Sequence, residues 1–264
     1  VPNVIAGLTA SDACGVASIS QDPVAGVDFG QVSGNSVNIT VTVTDVNGNA
    51  ATCTVPVSIV DNVAPAFTNC PANITVGNDV DKCGANVTFL APSATDNCSG
   101  VTVSQQSGLQ PGSLFPAGTS TIVYKATDVV GNSATCQFTI TVNDVQAPTA
   151  ACKDLSVNLN AAGTATITAA QLNGASTDNC TAAASLGLVA GQTAFTCSNV
   201  GDNSVTLTVT DAAGNSATCV ATVTVKDVTA PTFTCPAPVT VNDCDDVVPN
   251  VIAGLTASDA CGVA

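Results

Sequence analysis

An exact internal repeat is the feature that most constrains this chain. Residues 248–264 repeat residues 1–17 letter for letter, at an offset of 247 residues. Within that period the motif Asp-x-x-Ala-Pro begins at Asp61, Asp144 and Asp227, at spacings of 83, 83 and, across the period, 81 residues. Because self-similarity at a fixed spacing marks tandem structural units, each period is predicted to hold three repeats of about 82 residues. The expected domains are 1–60, which lacks its first strand, 61–143, 144–226, and 227–264, the start of a further repeat.

The hydrophobic pattern predicts strands. Val, Ile and Leu alternate with Thr, Asn and Ser in SVNITVTVT (36–44), in TSTIVYKAT (119–127) and in SVTLTVT (204–210). Alternation with a period of two is typical of strands that bury one face, and turn-forming pairs such as Asn47-Gly48 separate the runs. Six or seven short strands in each repeat predict an all-β fold of tandem immunoglobulin-like β-sandwiches arranged end to end, with no helix beyond a single turn.

The composition excludes several classes of function. The chain has no His, Arg, Glu, Met or Trp, all 19 acidic residues are Asp, and its formal net charge is −15. No basic surface is available for a nucleic acid. Because a Ser-His-Asp triad needs His, we expect no enzyme. No apolar run reaches the roughly 20 residues that cross a bilayer as a helix.

The cysteines follow the repeat. Of the 13 cysteines, Cys261 copies Cys14, which leaves 12 in a period and four in each repeat. The cysteines of Asp-x-Cys and Ala-Thr-Cys recur together, which suggests Cys14–Cys53, Cys98–Cys136 and Cys180–Cys219. The others then pair by exclusion as Cys70–Cys83, Cys152–Cys197 and Cys235–Cys244, although sequence alone leaves connectivity open. Two bridges in a sandwich with a small core indicate an oxidising, extracellular setting.

The order of these motifs resembles that of the hyalin-repeat (HYR) family of immunoglobulin-like domains. The resemblance is carried by Asp-x-x-Ala-Pro, by Cys-Pro at 70–71 and 235–236, by Phe-Pro-Ala-Gly-Thr at 115–119 and by Asp-x-x-Gly-Asn-x-Ala-x-Cys. Repeat 61–143 matches best, whereas repeat 144–226 lacks the second and third motifs. HYR domains occur in extracellular matrix proteins and bacterial surface adhesins, so the resemblance implies an extracellular, adhesive or structural role.

Three Asp-containing motifs are expected to converge at one end of each sandwich: the linker, the Asp-x-Cys motif and the last hairpin turn. With no Arg or His to neutralise them, these carboxylates fit a hard cation with six to eight oxygen ligands, and Ca²⁺ is the expected cofactor. The linker 61–67 also looks like the calcium-binding linkers of cadherins. Alternatively, these Asp and Asn only form turns. The candidate metal ligands are Asp12, Asp45, Asn49, Asp61, Asn62, Asp96, Asn97, Asp128, Asn132, Asp144, Asp178, Asn179, Asp211, Asn215, Asp227 and Asp259.

Several functions remain open. One is an extracellular fibre or adhesin stalk stiffened by calcium, whose partners are neighbouring copies of the same repeat. Another is a binding module that holds a host or matrix ligand in exposed loops. A third is a filament subunit that polymerises by strand complementation. The exact 17-residue identity favours the first, because it repeats a length element rather than a distinct pocket.

Overall fold

The computed structural model describes residues 2–26, 36–58, 60–240, 250–252 and 255–262. The chain divides into two compact units. Unit 1 comprises Val1–Val76 and Ala85–Val142, and unit 2 comprises Gly77–Gly84 and Asn143–Ala264. Within the described ranges, no helix has the length and apolar character needed to cross a membrane.

The first sheet of unit 1 has three antiparallel strands in the order β1-β2-β3. They are β1 (Val16–Asp22), β2 (Ser36–Asp45) and β3 (Ala50–Ser58). Ile39 and Val41 on β2 are buried, two residues apart. The predicted period-two pattern therefore buries one face of this strand.

Repeat 61–143 forms a second, larger set of strands. Four of them make a sheet in the order β5-β11-β10-β8, and two shorter ladders pair β4 with β7 and β6 with β9. The strands are β4 (Ala66–Phe67), β5 (Ile74–Gly77), β6 (Gly84–Asn86), β7 (Ala94–Thr95), β8 (Thr102–Ser107), β9 (Leu114–Pro116), β10 (Gly118–Thr127) and β11 (Ser133–Asn143). Phe115 on β9 and Ile122 and Phe138 on the larger sheet share one buried core, so the two layers form a sandwich.

That core makes a simple test of the packing. Ile122 is fully buried on β10. We expect Ile122→Val to lower the free energy of unfolding by about 0.5–1.5 kcal/mol, because a buried methylene group is lost. Leu90→Val removes similar volume from a side chain that is 76% exposed, so urea denaturation should show a change within about 0.5 kcal/mol. Equal effects of the two substitutions would contradict this core assignment.

Unit 2 repeats the sandwich with local differences. Its main sheet has the order β12-β17-β16-β14, and β13 pairs with β15 and β18 with β19. The strands are β12 (Leu155–Asn158), β13 (Thr164–Thr166), β14 (Gly187–Ala190), β15 (Ala194–Thr196), β16 (Gly201–Thr210), β17 (Ser216–Lys226), β18 (Thr232–Phe233) and β19 (Ala257–Ser258). The helix α1 (Ala169–Leu172) and two 3₁₀ turns (Ala183–Ser185 and Cys197–Asn199) complete the described elements.

Alternating side chains also build the core of unit 2. Val205, Leu207 and Val209 on β16 are buried, as are Val223 and Val225 on β17. The prediction of an all-β, immunoglobulin-like fold is confirmed, and the only α-helix in the described ranges has four residues. The end-to-end arrangement and the domain boundaries stay predictions.

The predicted disulfide pairing is wrong. The described bridges are Cys70–Cys136, Cys83–Cys180, Cys152–Cys219 and Cys197–Cys261. They contradict Cys70–Cys83, Cys98–Cys136, Cys152–Cys197 and Cys180–Cys219. The predicted Cys14–Cys53 bridge is not formed, and Cys98 and Cys235 are also unpaired. Cys244, the predicted partner of Cys235, lies outside the described residues.

Strand pairing explains the observed bridges. In unit 2, β12 runs parallel to β17, and Leu155 of β12 lies opposite Val223 of β17. Cys152 precedes Leu155 and Cys219 precedes Val223, so the parallel pairing brings the two cysteines together. In unit 1, the backbone N–H of Thr139 donates to Oδ1 of Asn73 at 2.8 Å, which places the chain after Cys70 beside the chain after Cys136. Recurrence of the cysteine motifs did not reveal this neighbour relation.

Candidate metal centre

Three carboxylates from distant motifs meet in unit 1. Asp61 lies in the linker before β4, Asp96 follows β7, and Asp128 follows β10. The antiparallel pairing of Ala66 with Thr95 places the start of β4 beside the end of β7. Each Asp offers a carboxylate oxygen within 4.8 Å of those of the other two. We call Asp61, Asp96 and Asp128 the first triad.

Unit 2 contains an equivalent set, the second triad. It consists of Asp144, Asp178 and Asp211, whose carboxylate oxygens also lie within 4.8 Å of one another. Asp178 follows Thr177, which bridges to Thr149 just after the linker, and Asp211 follows β16. The structure therefore brings together the three predicted Asp in both of the repeats that it describes over their whole length.

The hairpin Asp of each triad stabilises its own turn. Oδ1 of Asp128 accepts the backbone N–H groups of Val130, Gly131 and Asn132 at 2.9, 2.7 and 2.9 Å. Its Oδ2 accepts Nδ2 of Asn132 at 2.8 Å. The turn needs a residue with positive φ, and Gly131 has φ of 100°. This part of the motif is therefore structural.

The same turn occurs in the other two repeats. Asp211 accepts the backbone N–H and the Nδ2 of Asn215, each at 2.8 Å. Asp45 accepts the backbone N–H and the Nδ2 of Asn49, again each at 2.8 Å. The hydrogen bond from the Asn49 side chain lowers the pKa of Asp45 below its ordinary value. The alternative that these residues form turns thus accounts for the hairpin pairs.

The two oxygens of the remaining triad carboxylates have different surroundings. Oδ2 of Asp178 accepts the N–H groups of Cys180 and Thr181 at 2.9 and 2.7 Å, and Oδ1 of Asp144 accepts the N–H of Gln146 at 3.2 Å. The second oxygen of each, Oδ1 of Asp178 and Oδ2 of Asp144, is buried with no hydrogen-bond partner among the described residues. Turn formation accounts for one oxygen of each carboxylate and leaves the other unexplained.

The first triad shows the same division at Asp96. Its Oδ2 accepts the N–H of Cys98 at 3.3 Å, whereas its Oδ1 is buried and has no hydrogen-bond partner in the described part of the chain. Asp61 and Asp128 are only 8% and 6% exposed. The N–H of Val63 is the main group that holds the pKa of Asp61 below its ordinary value. A carboxylate that stays charged and buried calls for a compensating cation.

The predicted Asn ligands divide into groups. Asn132 and Asn215 each donate Nδ2 to a linker carbonyl, that of Asp61 at 3.3 Å and that of Asp144 at 3.2 Å, so they tie linker to hairpin. Asn62 is exposed. Asn97 donates Nδ2 to Oδ1 of Asp61 at 3.4 Å, and Asn49 belongs to its turn.

Asn179 alone among these Asn has a buried side-chain oxygen without a hydrogen-bond partner in the described residues. Its Nδ2 donates to the carbonyl of Lys82 at 2.9 Å. Asp81 and Gln146 line one pocket with Asp178 and Asn179, and Nε2 of Gln146 donates to Oδ1 of Asp81 at 3.0 Å. The sequence did not predict Asp81 as part of this site, because it belongs to none of the repeated motifs.

The remaining predicted ligands form incomplete sets. Asp227 and Asp259 lie within 4.8 Å of each other and of the sulfur of Cys261. That sulfur is bonded to Cys197 and offers no thiolate. Oδ2 of Asp259 is buried without a hydrogen-bond partner in the described ranges. Asp12 and Asp45 line a common pocket, and no third carboxylate groups with them among the described residues.

The linker contacts allow a test of the turn residues. We expect Asn132→Ala to lower the stability of unit 1 by about 1–2 kcal/mol, because it removes the hydrogen bonds to Asp128 and to the Asp61 carbonyl. The matched control is Asn62→Ala, at an exposed position. Urea denaturation in the presence of a chelator measures both without a metal contribution. A loss for Asn62→Ala as large as that for Asn132→Ala would contradict the assignment.

Comparison with known proteins agrees with the motif order. The HYR domain family matches residues 60–142. Hyalin of Lytechinus variegatus is 35% identical over 140 residues, which cover 52% of this chain and 26% of that protein. Hyalin of Strongylocentrotus purpuratus is 38% identical over 112 residues, covering 40% of this chain and 9% of that protein. The chain thus spans about a quarter or less of the length of these relatives.

One bacterial protein and one solved structure illustrate weaker likenesses. The serine-rich adhesin for platelets of Staphylococcus aureus is 29% identical over 174 residues, 58% of this chain and 8% of that protein. Cadherin repeats EC22-24 of mouse cadherin-23 have a TM-score of 0.38 and 21% identity, and cover 76% of this chain and 77% of theirs.

The matched residues and the identities to two hyalins identify one hyalin-repeat domain in this chain. They agree with the four described disulfides, because such bridges persist in oxidising, extracellular surroundings. The chain is therefore extracellular, and its residues 60–142 are a hyalin-repeat (HYR) domain.

Proposed function

We propose that this chain is a segment of an extracellular adhesion-type fibre or stalk, in which tandem HYR-like repeats are stabilised by Ca²⁺ held in the Asp triads. The observation that carries the proposal is the buried, unpartnered oxygen on Asp96, Asp144 and Asp178 within the described structure. Each belongs to a triad whose carboxylate oxygens lie within 4.8 Å of one another. A cation gives these oxygens the partner that the turns do not.

The donor set fits calcium better than other metals. All candidate ligands are oxygen atoms, which suit hard cations, and no His or free thiolate belongs to either triad. Calcium accepts six to eight ligands in irregular geometry, including carbonyl groups such as that of Asn179. Magnesium demands a near-octahedral set and retains several waters. Calcium bound here would neutralise the neighbouring carboxylates. The chain has no Arg or His and few Lys that could do so.

The incomplete Asp sets fit the same scheme. Asp259 copies Asp12 across the 247-residue period, and Asp12 shares a pocket with Asp45. We therefore propose that Asp227 and Asp259 form a third triad with the Asp45 of a following copy. Neighbouring copies of the repeat are the partners that this scheme needs.

The structural role rests on repetition. The identical 17-residue segment indicates a length element, and the HYR match and the hyalin relatives point to an extracellular adhesion-type module. A surface-ligand role is a second candidate, favoured by the identity to the serine-rich adhesin. The ligand-binding loops would then be the feature under selection, and calcium would be dispensable for shape.

Limited proteolysis tests the proposed calcium role. Val63 and Val145 in the linkers are 50% and 62% exposed and offer cleavage sites to elastase, a protease that does not need calcium for this assay. We expect millimolar Ca²⁺ to slow linker cleavage of the whole chain roughly tenfold relative to chelator, because ligand binding lowers the population of open states.

A pair of variants makes the proteolysis test specific. Asp96→Asn with Asp178→Asn should abolish the protection, while Asp202→Asn, at an exposed carboxylate at the start of β16, should keep it. Equal cleavage rates with calcium and with chelator would reject the calcium-stabilised stalk and favour the binding-module function.

A further inference from the structure

The four described disulfides follow two pairing rules. In the first, the first cysteine of a repeat pairs with the Ala-Thr-Cys cysteine of the same repeat, as in Cys70–Cys136 and Cys152–Cys219, at separations of 66 and 67 residues. In the second, the remaining cysteine of a repeat, which is neither its first cysteine nor that of its Asp-x-Cys or Ala-Thr-Cys motif, pairs with the Asp-x-Cys cysteine of the next repeat. Cys83–Cys180 and Cys197–Cys261 follow this rule, and each joins two sequence repeats.

The second kind of bridge is part of a larger contact. Besides Cys83, the 77–84 segment contributes Asn78, whose Oδ1 accepts the N–H of Val145 at 3.0 Å, and Lys82, whose carbonyl accepts Nδ2 of Asn179 at 2.9 Å. For this reason residues 77–84 belong to compact unit 2, although their sequence lies in repeat 61–143. The bridge fastens one repeat beside the second triad of the next.

The unpaired cysteines are those whose partner, by these rules, lies in another copy. Cys235 is the first cysteine of its repeat, and its Ala-Thr-Cys partner is Cys53 of the next period, 65 residues further on once 247 is added to its number. Cys14 copies Cys261, so its partner is Cys197 of the preceding period. Cys14, Cys53 and Cys235 are all exposed.

The remaining unpaired cysteine occupies the position of a bridged one. Cys98 belongs to the same Asp-x-Cys motif as Cys180. Nδ2 of Asn97 donates to the sulfur of Cys98 at 3.4 Å, as Nδ2 of Asn179 donates to the sulfur of Cys180 at 3.6 Å. By the second rule, Cys98 pairs with the remaining cysteine of the preceding repeat, the one outside its first-cysteine, Asp-x-Cys and Ala-Thr-Cys positions. In sequence, Cys244 of the preceding period is the cysteine left for it.

We propose that successive periods of this repeat are joined by disulfides, with Cys235 bonded to Cys53 and Cys197 to Cys14 of the next copy, and with Cys98 bonded to the copy before. Every repeat then carries one internal bridge and is bonded to both neighbours. The array becomes a covalent ladder, in which a broken linker does not release the pieces until the disulfides are reduced. This inference rests on the tandem array in the proposed function, but it does not need calcium.

The oxidation has a defined balance. Each new bridge forms when two thiols lose two protons and two electrons to a disulfide oxidant, whose own S–S bond is reduced to two thiols. In the test, oxidised glutathione supplies this disulfide. Exchange passes through a mixed disulfide with one cysteine, which the second cysteine resolves.

Disulfide mapping of one-period and two-period chains tests the proposal. The first sample is the 264-residue chain, and the second continues it by one period, residues 1–247 followed by residues 1–264. Both are folded in a glutathione buffer, alkylated, digested without reduction and analysed by mass spectrometry. In the two-period chain we expect Cys235 of the first copy bonded to Cys53 of the second, and Cys197 bonded to Cys14 of the second. Alkylation of the first-copy Cys235 should fall roughly tenfold relative to the one-period chain.

A variant supplies the matched control. Cys53→Ser in the second copy should restore alkylation of the first-copy Cys235 and of no other cysteine, while Cys53→Ser in the first copy should change nothing in the map of the second. Bonds between Cys14 and Cys53 of one copy, or between Cys235 and Cys244, would overturn the proposal. The disulfide map is measured with chelator present, so it does not depend on calcium. The proposed disulfides can therefore be absent while calcium still protects the linkers, and they can be present when calcium gives no protection.

Discussion

We expect the double substitution Cys152→Ala and Cys219→Ala to lower the free energy of unfolding of unit 2 by about 4 kcal/mol. The bridge closes a loop with a sequence separation of 67 residues. Its main effect is to remove conformational freedom from the unfolded chain, and that effect grows with loop length. Core packing adds to it, because Cys152 and Cys219 lie against the apolar core of the unit.

Urea denaturation under non-reducing conditions measures this loss of stability. Two further variants serve for comparison, one with a similar expected loss and one with almost none. Cys70→Ala with Cys136→Ala should produce a similar loss in unit 1, whose bridge has a separation of 66 residues. Cys53→Ala, at an exposed and unpaired cysteine, should change stability by less than about 0.5 kcal/mol. If the Cys152/Cys219 double variant loses no more than Cys53→Ala, the parallel pairing of β12 with β17 does not hold these cysteines together.

We expect calcium at about 10 mM to raise the melting temperature of the chain by roughly 10 °C, for an affinity like that of extracellular calcium modules, near 10⁻⁴–10⁻³ M. Ligand at ten to a hundred times its dissociation constant stabilises the folded state by about 1.4–2.7 kcal/mol per site. Each kcal/mol moves the melting temperature of a small domain by about 4–8 °C. Thermal denaturation followed by circular dichroism, with calcium and with chelator, measures the shift.

The effect of one substitution on the melting temperature should differ between calcium and chelator. In calcium, we expect Asp178→Asn to lower the melting temperature, because it removes a proposed charged ligand. In chelator, the same variant relieves repulsion with Asp144 and Asp211 and leaves stability unchanged or slightly raised. Asp202 lies at the opposite end of β16 from Asp211, and its Oδ1 accepts a hydrogen bond from Oγ1 of Thr224 at 2.7 Å. The control variant Asp202→Asn should change the melting temperature by the same amount in calcium and in chelator. A calcium-induced shift in Asp178→Asn as large as that of the unchanged chain contradicts binding at the second triad, because only the contribution of the first triad should remain.

The strands could be predicted because their signal is local. Ile122, Tyr124 and Ala126 alternate on β10 with neighbours that are exposed or only partly buried, and all three are buried as the alternation requires. Disulfide connectivity depends instead on which strands lie side by side. The parallel pairing of β12 with β17 joins segments almost 70 residues apart, and no motif in either segment predicts this pairing. Exclusion failed for the same reason, since some recurring cysteines pair across repeats.

Part of the candidate site could be predicted from the sequence for a different reason. Asp61, Asp96 and Asp128 stand in recurring motifs, so their meeting at one end of a sandwich followed from strand order. The different surroundings of the two oxygens of one carboxylate could not be predicted, because they depend on the three-dimensional geometry of the turns. Asp81 was missed since it occurs in repeat 61–143 alone, yet it lines a pocket with Asp178 of the following repeat.

A crystal structure of the chain grown in calcium tests the central claim, that carboxylates far apart in sequence meet to hold one cation in each repeat. We expect an ion with anomalous signal in each described triad, at 2.3–2.6 Å from Oδ1 of Asp96 in the first and from Oδ1 of Asp178 in the second. The hairpin turns at Asp128 and Asp211 should keep their hydrogen bonds. Triads that hold only water at saturating calcium would contradict the account, and would leave these carboxylates as turn-forming residues.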